Sequence, residues 1–411
     1  MTALDADFVR SQFPAFAEAS LQGHAFFENA GGSYTCGQVI DRLHRFYTQR
    51  KVQPYGNYAA SQLGGAEMDE ARSRLAAMLN VESDELHFGP STSQNTYVLA
   101  HAFAETLSPG DVVIVTDQDH EANSGAWRRL EARGMQIREW HINRETGQLE
   151  TETLAGLLDE SVKLVCFPHC SNIIGQENPV ADIVKMAHAV GAVTCVDGVS
   201  MAPHGFADVG TLGADIYMFS SYKTYGPHQG IMVVRRALTD WLANQAHFFN
   251  AGYRTKRLTP AGPDHAQIAA CAGMADYVDA LYDHHFDEAA SPAARTAAVT
   301  AMKRAHEIQT LAPLLDFLAD RDDVRILGNA GIGNDARRVP TVALDTKKPA
   351  EGVADALATH GIMAGAGDFY ALRTIGAMGC DKEAGVLRLS FVHYTTDAEV
   401  AKLMTALDAT L

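Results

Sequence analysis

The chain has 411 residues, 47% of them hydrophobic and 20% charged, enough to bury a large core and to divide into more than one packing unit. Its 50 acidic residues against 33 Lys and Arg give a formal charge of -17. That charge repels phosphate backbones and anionic lipid headgroups, so nucleic-acid and membrane partners are set aside in favour of a small-molecule ligand.

The first 20 residues place Asp5, Asp7 and Glu18 among apolar side chains, without the basic and apolar regions of a secretory signal. No stretch approaches the roughly 20 apolar residues that span a bilayer. The six cysteines, Cys36, Cys166, Cys170, Cys195, Cys271 and Cys380, form no CxxC pair. Neither a disulfide framework nor a metal site is expected, and the expected compartment is the cytoplasm.

Along the chain, residues 66–80 predict a helix with Met68, Ala71, Leu75 and Met78 on one face. A short strand at 86–88 and a helix at 93–106 follow. The strand at 111–115 is apolar after its leading Asp111, as a strand covered on both faces of a parallel sheet requires. Further strands are predicted at 136–140, 163–167, 192–196, 216–219 and 231–234, with helices at 124–133, 151–160 and 180–190. This alternation predicts an α/β sheet with crossover helices. Beyond Gly252 the reading is a loop at 253–264, a helix at 267–282, a long helix at 291–320, and strands at 324–327, 341–344 and 386–391. The expected division is a large domain at 21–290 and a smaller α+β domain formed by 291–411 with 1–20.

The strongest local signal is the run at 216–227, where a strand opens into Ser220-Ser221-Tyr222-Lys223-Thr224-Tyr225-Gly226-Pro227. Lys223 then lies where the carboxyl edge of a sheet forms a crevice, and it can form a Schiff base with a carbonyl cofactor. An isolated loop lysine is ordinarily only solvated; its neighbours change the weight. Asp197 ends the apolar run at 192–196 and reaches the same edge, where pyridoxal phosphate needs a carboxylate to keep its ring nitrogen protonated. Taken alone, an Asp there is equally a turn former. Ser91, Thr92 and Ser93 open a helix after Gly89-Pro90, an arrangement that cradles a phosphate and also serves as an ordinary N-cap. His120 follows the strand at 111–115, where an imidazole can stack on a planar ring, and Asn172 follows the strand at 163–167, where its amide can donate to a cofactor or substrate oxygen.

These five strand ends, a Ser/Thr cradle, His, Asn, Asp and Lys in that order, resemble the fold-type I pyridoxal phosphate enzymes of the class V aminotransferase family. Within it the chain is most similar to cysteine desulfurases and selenocysteine lyases. The resemblance runs from Phe27-Glu28-Asn29-Ala30-Gly31-Gly32 to Arg388-Leu389-Ser390, and the run at 219–227 is its most specific part. It implies a mostly parallel central sheet covered by helices, a smaller α+β C-terminal domain, pyridoxal 5'-phosphate as cofactor, a small α-amino acid as substrate, and a homodimer with active sites at the interface. It implies that Lys223 carries the cofactor and moves protons, with Asp197 on the ring nitrogen and His120 on the ring face. Ser91, Thr92, Ser93, Ser220 and Tyr222 would hold the phosphate, and Thr259 or Gly262 would reach the phosphate of the neighbouring subunit. Asn172 and Ser200 would serve the ring oxygen or substrate, and Arg388 would take the substrate α-carboxylate by a two-pronged pair.

One departure bears on the reaction. Where desulfurases carry an Arg-Thr-Gly run and then a nucleophilic Cys, this chain has Gly365-Ala366-Gly367 and then Tyr370. A phenol accepts no sulfur atom as a persulfide, and Cys380 is the nearest substitute in sequence. The expectation is a C-S lyase-type enzyme without the usual persulfide cysteine. A class V aminotransferase, an amino-acid epimerase, and a non-catalytic cofactor-binding homologue remain as alternatives. Trp127, Trp140 and Trp241 are read as packing residues.

Overall fold

The computed structural model describes residues 2–329, 331 and 337–411. Thirteen strands occur among them: β1 (Ala25–Phe26), β2 (Leu86–Gly89), β3 (Val112–Thr116), β4 (Gln136–Trp140), β5 (Val162–Pro168), β6 (Val193–Asp197), β7 (Ile216–Ser220), β8 (Gly230–Val234), β9 (Val324–Ile326), β10 (Thr341–Thr346), β11 (Ile362–Met363), β12 (Gly365–Gly367) and β13 (Val386–Ser390). Seven of them form one sheet in the order β2-β8-β7-β6-β5-β3-β4. All neighbours from β7 to β4 are parallel, and β8 runs antiparallel to both β7 and β2. The fold is therefore a mostly parallel α/β sheet flanked by helices, as the alternation predicts.

The apolar runs explain this sheet. Every residue of β3, β7 and β8 is buried. Side chains alternate between faces, so Val113 and Val115 join Leu99, Phe103 and Trp127 on one side. Val112 and Ile114 join Trp140, Val165 and Phe167 on the other. Burying each such side chain stabilises the fold by about 1.5–3 kcal/mol before entropic costs. Because β2, β3, β5, β6 and β7 run in one direction, their carboxyl ends collect at one edge.

A second, antiparallel sheet has the order β12-β13-β10-β9. In it Gly365 lies directly opposite Arg388. A parallel pair, β1 with β11, and a bridge from Glu28 to Ser390 draw the segment at 25–30 onto this sheet. The long helix Pro292–Ala319 precedes it, starting from a Ser291 cap with Pro at its first position.

Several elements differ from the sequence reading. The helix expected at 124–133 divides into an α-turn, Gly125–Arg128, and a 3-10 segment, Arg129–Arg133, which closes on Gly134 at φ 92°. The helix expected at 267–282 is two, His265–Ala270 and Ala272–His285, meeting at Cys271. The loop at 253–264 contains a turn of helix, Arg254–Arg257, held by Arg254 to Asp84 and Asp240. Trp127 and Trp140 are fully buried, whereas Trp241 is 49% exposed and meets Phe103 in a T-shaped pair at 6.0 Å. No helix among the described residues is long and apolar enough to cross a membrane.

Candidate active site

β7 ends at Ser220 and turns at once into a single 3-10 turn, Ser221–Lys223. Ser221 Oγ donates into the following loop, to Pro227 O and to Gln229 O at 3.0 Å. Ser33 Oγ donates to Lys223 O at 2.7 Å, and the Thr224 N–H donates to Ser221 O at 2.8 Å. Two residues on, Tyr225 takes a left-handed φ of 68°, a strained conformation for a bulky residue. Its buried hydroxyl compensates by donating to Pro203 O and lying 3.2 Å from both His393 Nδ1 and Lys303 Nζ. The lysine backbone is thus fixed from both sides.

Lys223 opens into a cavity of about 480 Å³ lined also by Ser91, Thr92, Ser93, His120, Asn172, Asp197, Ser200, Ser220 and Tyr222. Burial, and then repulsion by Arg388, pulls the Lys223 ammonium down to about 8, against the opposite pull of Asp197 and Glu28. An appreciable fraction of the amine is therefore neutral near pH 7, as nucleophilic attack on a carbonyl requires.

Ser91 caps the helix Thr92–Thr106 by accepting from the Gln94 N–H at 3.2 Å. The N–H groups of Thr92 and Ser93 have no backbone partner among the described residues, and the hydroxyls of Thr92 and Ser220 lie 2.8 Å apart. This is an anion cradle of two hydroxyls and a helix N-terminus. Gly230 makes room for it: a Cβ there would lie 2.6 Å from the Thr92 nitrogen. Beside it Tyr222 stacks face to face on His228 at 4.8 Å.

Asp197, the last residue of β6, accepts from the Val199 N–H at 2.8 Å. Burial raises its carboxyl to about 6, with the Val199 hydrogen bond and Lys223 opposing. His120 Nδ1 accepts from the Ala122 N–H at 3.0 Å. Burial, then the charges of Lys223 and Arg388, lowers the imidazole to about 3. The ring is neutral at pH 7 with its proton on Nε2. A hydroxyl cradle, a buried carboxylate, a neutral imidazole and a lysine of depressed pKa together fit a planar pyridine bearing an aldehyde and a phosphate.

Ten of the thirteen residues given cofactor or substrate roles from sequence share this cavity; Arg388, Thr259 and Gly262 do not line it. Arg388 is buried just behind the wall. Its Nη1 donates to Asn172 O at 3.2 Å, its Nη2 pairs with Glu28 Oε1 at 2.6 Å, and its guanidinium lies over the Phe369 ring at 3.7 Å. Asn172 donates from Nδ2 to Phe369 O at 3.1 Å, and its Oδ1 is buried without a partner among the described residues. Gly262 lines a second cavity, of about 530 Å³, which shares Ser91 and His228 with the first.

Tyr370 projects at the cavity mouth, 74% exposed, its ring tilted 37° against His120. Phe369 and Tyr370 both have left-handed φ, 50° and 56°. The turn is held by Tyr370 N–H donating to Asp368 Oδ1 and Glu121 N–H donating to Tyr370 O. Cys380 is not in the cavity wall. Arg325 donates to its Sγ at 3.1 Å, and burial raises the thiol to about 11. Cys170 does line the cavity, with its thiol pushed up by burial.

Sequence reasoning gave no role to His228, Glu121 or Glu28. Glu28 stands inside a motif already noted, but its contact with Arg388, 360 residues on, leaves no local signal.

The sheet and the lysine turn at its carboxyl edge have the fold of cysteine desulfurases. The superposition on the cysteine desulfurase CsdA of Escherichia coli has a TM-score of 0.83 at 21% identity, covering 99% of this chain and 98% of that one. For the apo cysteine desulfurase of Thermococcus onnurineus NA1 the TM-score is 0.84 at 21% identity, covering 100% and 99%. The profile of the Aminotransferase class-V family matches residues 25–403, and the chain belongs to that family. It is 32% identical over 416 residues to the aminotransferase-like protein FGM3 of Gibberella zeae, covering 98% of each chain. It is 32% identical over 291 residues to a cysteine desulfurase of Pectobacterium carotovorum, covering 66% of this chain and 71% of that one.

Proposed function

We propose that this protein is a pyridoxal-phosphate-dependent enzyme that acts on a small α-amino acid and cleaves a carbon–sulfur bond without passing the sulfur to an enzyme cysteine. The observation that carries the reading is Lys223, buried and with its ammonium lowered to about 8, in one cavity with Asp197, His120 and the Ser91–Ser93 cradle. Bound there, pyridoxal phosphate supplies an electron sink for the carbon beside the substrate amine. Asp197 would serve as the carboxylate for the ring nitrogen. Neutral His120 would cover a ring face without adding charge. The Thr92 and Ser93 N–H groups, with the hydroxyls of Thr92, Ser220 and Tyr222, would hold the phosphate, and Ser200 and Asn172 would offer short polar contacts near the ring oxygen or substrate.

Lys223 would hold the cofactor, and its neutral amine would move a proton at the substrate α-carbon. The sulfur step is set apart by Tyr370, whose phenol occupies the mouth, and by the raised thiols of Cys170 and Cys380, which are protonated at neutral pH. The homodimer belongs to the same proposal: Gly262, outside its own cofactor cavity, is assigned to the partner's phosphate.

The test is to load the purified protein with pyridoxal phosphate and add amino acids one at a time, cysteine included. Sulfide with pyruvate and ammonia, the balanced products of β-elimination from cysteine, is the expected outcome. A keto acid without sulfide would make it an aminotransferase, and a protein that takes up no cofactor would defeat the reading.

A further inference from the structure

We propose that Glu28 is a specificity-determining residue: its carboxylate occupies the place on Arg388 that a substrate carboxylate must take, so a free α-amino acid enters only by displacing it. The inference rests on the amino-acid site proposed above.

The pair is close but incomplete. Arg388 Nη2 meets Glu28 Oε1 at 2.6 Å, yet Arg388 Nε and Glu28 Oε2 are both buried without a hydrogen-bond partner among the described residues. Guanidinium and carboxylate ordinarily meet in two parallel hydrogen bonds; here only one forms. An incoming carboxylate that uses both Nε and Nη2 completes the fork. Glu28 has somewhere to go, because its side chain is 29% exposed against 3% for Arg388.

The backbone is shaped for this carboxylate. The Ala30 N–H donates to Ser390 Oγ at 2.8 Å, and the Glu28–Ser390 bridge sets Glu28 beside β13, two residues from Arg388. A Cβ at Gly365, directly opposite Arg388, would lie 2.6 Å from Glu28 Oε2, and one at Gly31 would lie 2.7 Å from Oε1. Two glycines therefore make the space that Glu28 fills. The electrostatic result is a subsite with no net positive charge where an unpaired arginine would attract anions. Discrimination then depends on whether a ligand gains more from Arg388 than Glu28 does.

The experiment compares the wild type with Glu28→Gln, which keeps shape and removes charge, and with Glu28→Ala. Holoprotein is titrated with L-alanine and with L-alaninamide, following the ligand-induced change in visible absorbance. Cofactor-free protein is titrated with propionate by calorimetry. Both variants are expected to bind alanine and propionate about tenfold tighter or more, with alaninamide unchanged. Unchanged or weaker binding of alanine and propionate in both variants, with wild-type thermal stability, would overturn the role of Glu28. Failure to take up pyridoxal phosphate would count against the functional reading instead, while the propionate titration still decides the inference.

Discussion

The ring of Tyr370 lies 5.4 Å from the imidazole of His120, so the turn after β12 brings a phenol to the mouth of the cavity that holds Lys223, while Cys380 stays out of the cavity wall. Replacing Cys380 by Ala is accordingly expected to change sulfide release from cysteine by no more than about twofold, the range of a substitution worth under about 0.5 kcal/mol. A loss of an order of magnitude in a sulfide assay of the folded variant would return the sulfur step to Cys380.

Cofactor uptake is expected to follow the neutral fraction of Lys223. The ammonium loses its proton near pH 8, so the rate at which cofactor-free protein gains visible absorbance should rise with pH, flatten above about 8, and fall about tenfold per pH unit well below it. Lys223→Ala should gain no covalently bound absorbance at any pH. A rate that is flat from pH 6 to 9 would contradict the placement of Lys223.

Asp197→Asn separates binding from chemistry. The side chain keeps its size and its contact with the Val199 N–H, so cofactor should still bind, while turnover is expected to fall roughly 10²-fold or more because a neutral amide does not hold the ring nitrogen protonated. Steady-state rates alongside bound-cofactor absorbance check this. Full activity with bound cofactor would remove Asp197 from the proton chemistry.

His87, fully buried on β2, has its imidazole lowered to about 3 by burial and then by Arg72. In the unfolded chain the same group titrates near 6.5. Below that pH the unfolded state takes up a proton that the folded state refuses, so stability falls as pH drops from about 6.5 towards 3. At pH 5 this amounts to about 2 kcal/mol from His87 alone. His87→Leu should therefore lose less thermal stability between pH 7 and pH 5 than the wild type, as read by circular dichroism. An identical loss would show that His87 does not govern the acid limb.

Much of this site is legible in the amino-acid sequence. Asp197, Lys223, Asn172 and His120 each follow an apolar run, and such a run in an α/β chain is a strand whose end carries ligands. The break at Cys271 is not legible there, because residues 265–285 keep a helical composition on both sides of it. Nor is β12, whose three residues Gly365-Ala366-Gly367 have no strand propensity and pair only because β13 lies alongside.

By itself, then, the sequence determined the seven strands of the large sheet and the chemistry at their ends, because burial in a strand is recorded residue by residue. The tertiary structure decided which ends meet. The order β2-β8-β7-β6-β5-β3-β4 brings Ser220 to Thr92, and the Glu28–Ser390 bridge delivers a carboxylate to Arg388. Contacts of that kind depend on the pairing of segments up to 360 residues apart, and no local periodicity encodes them.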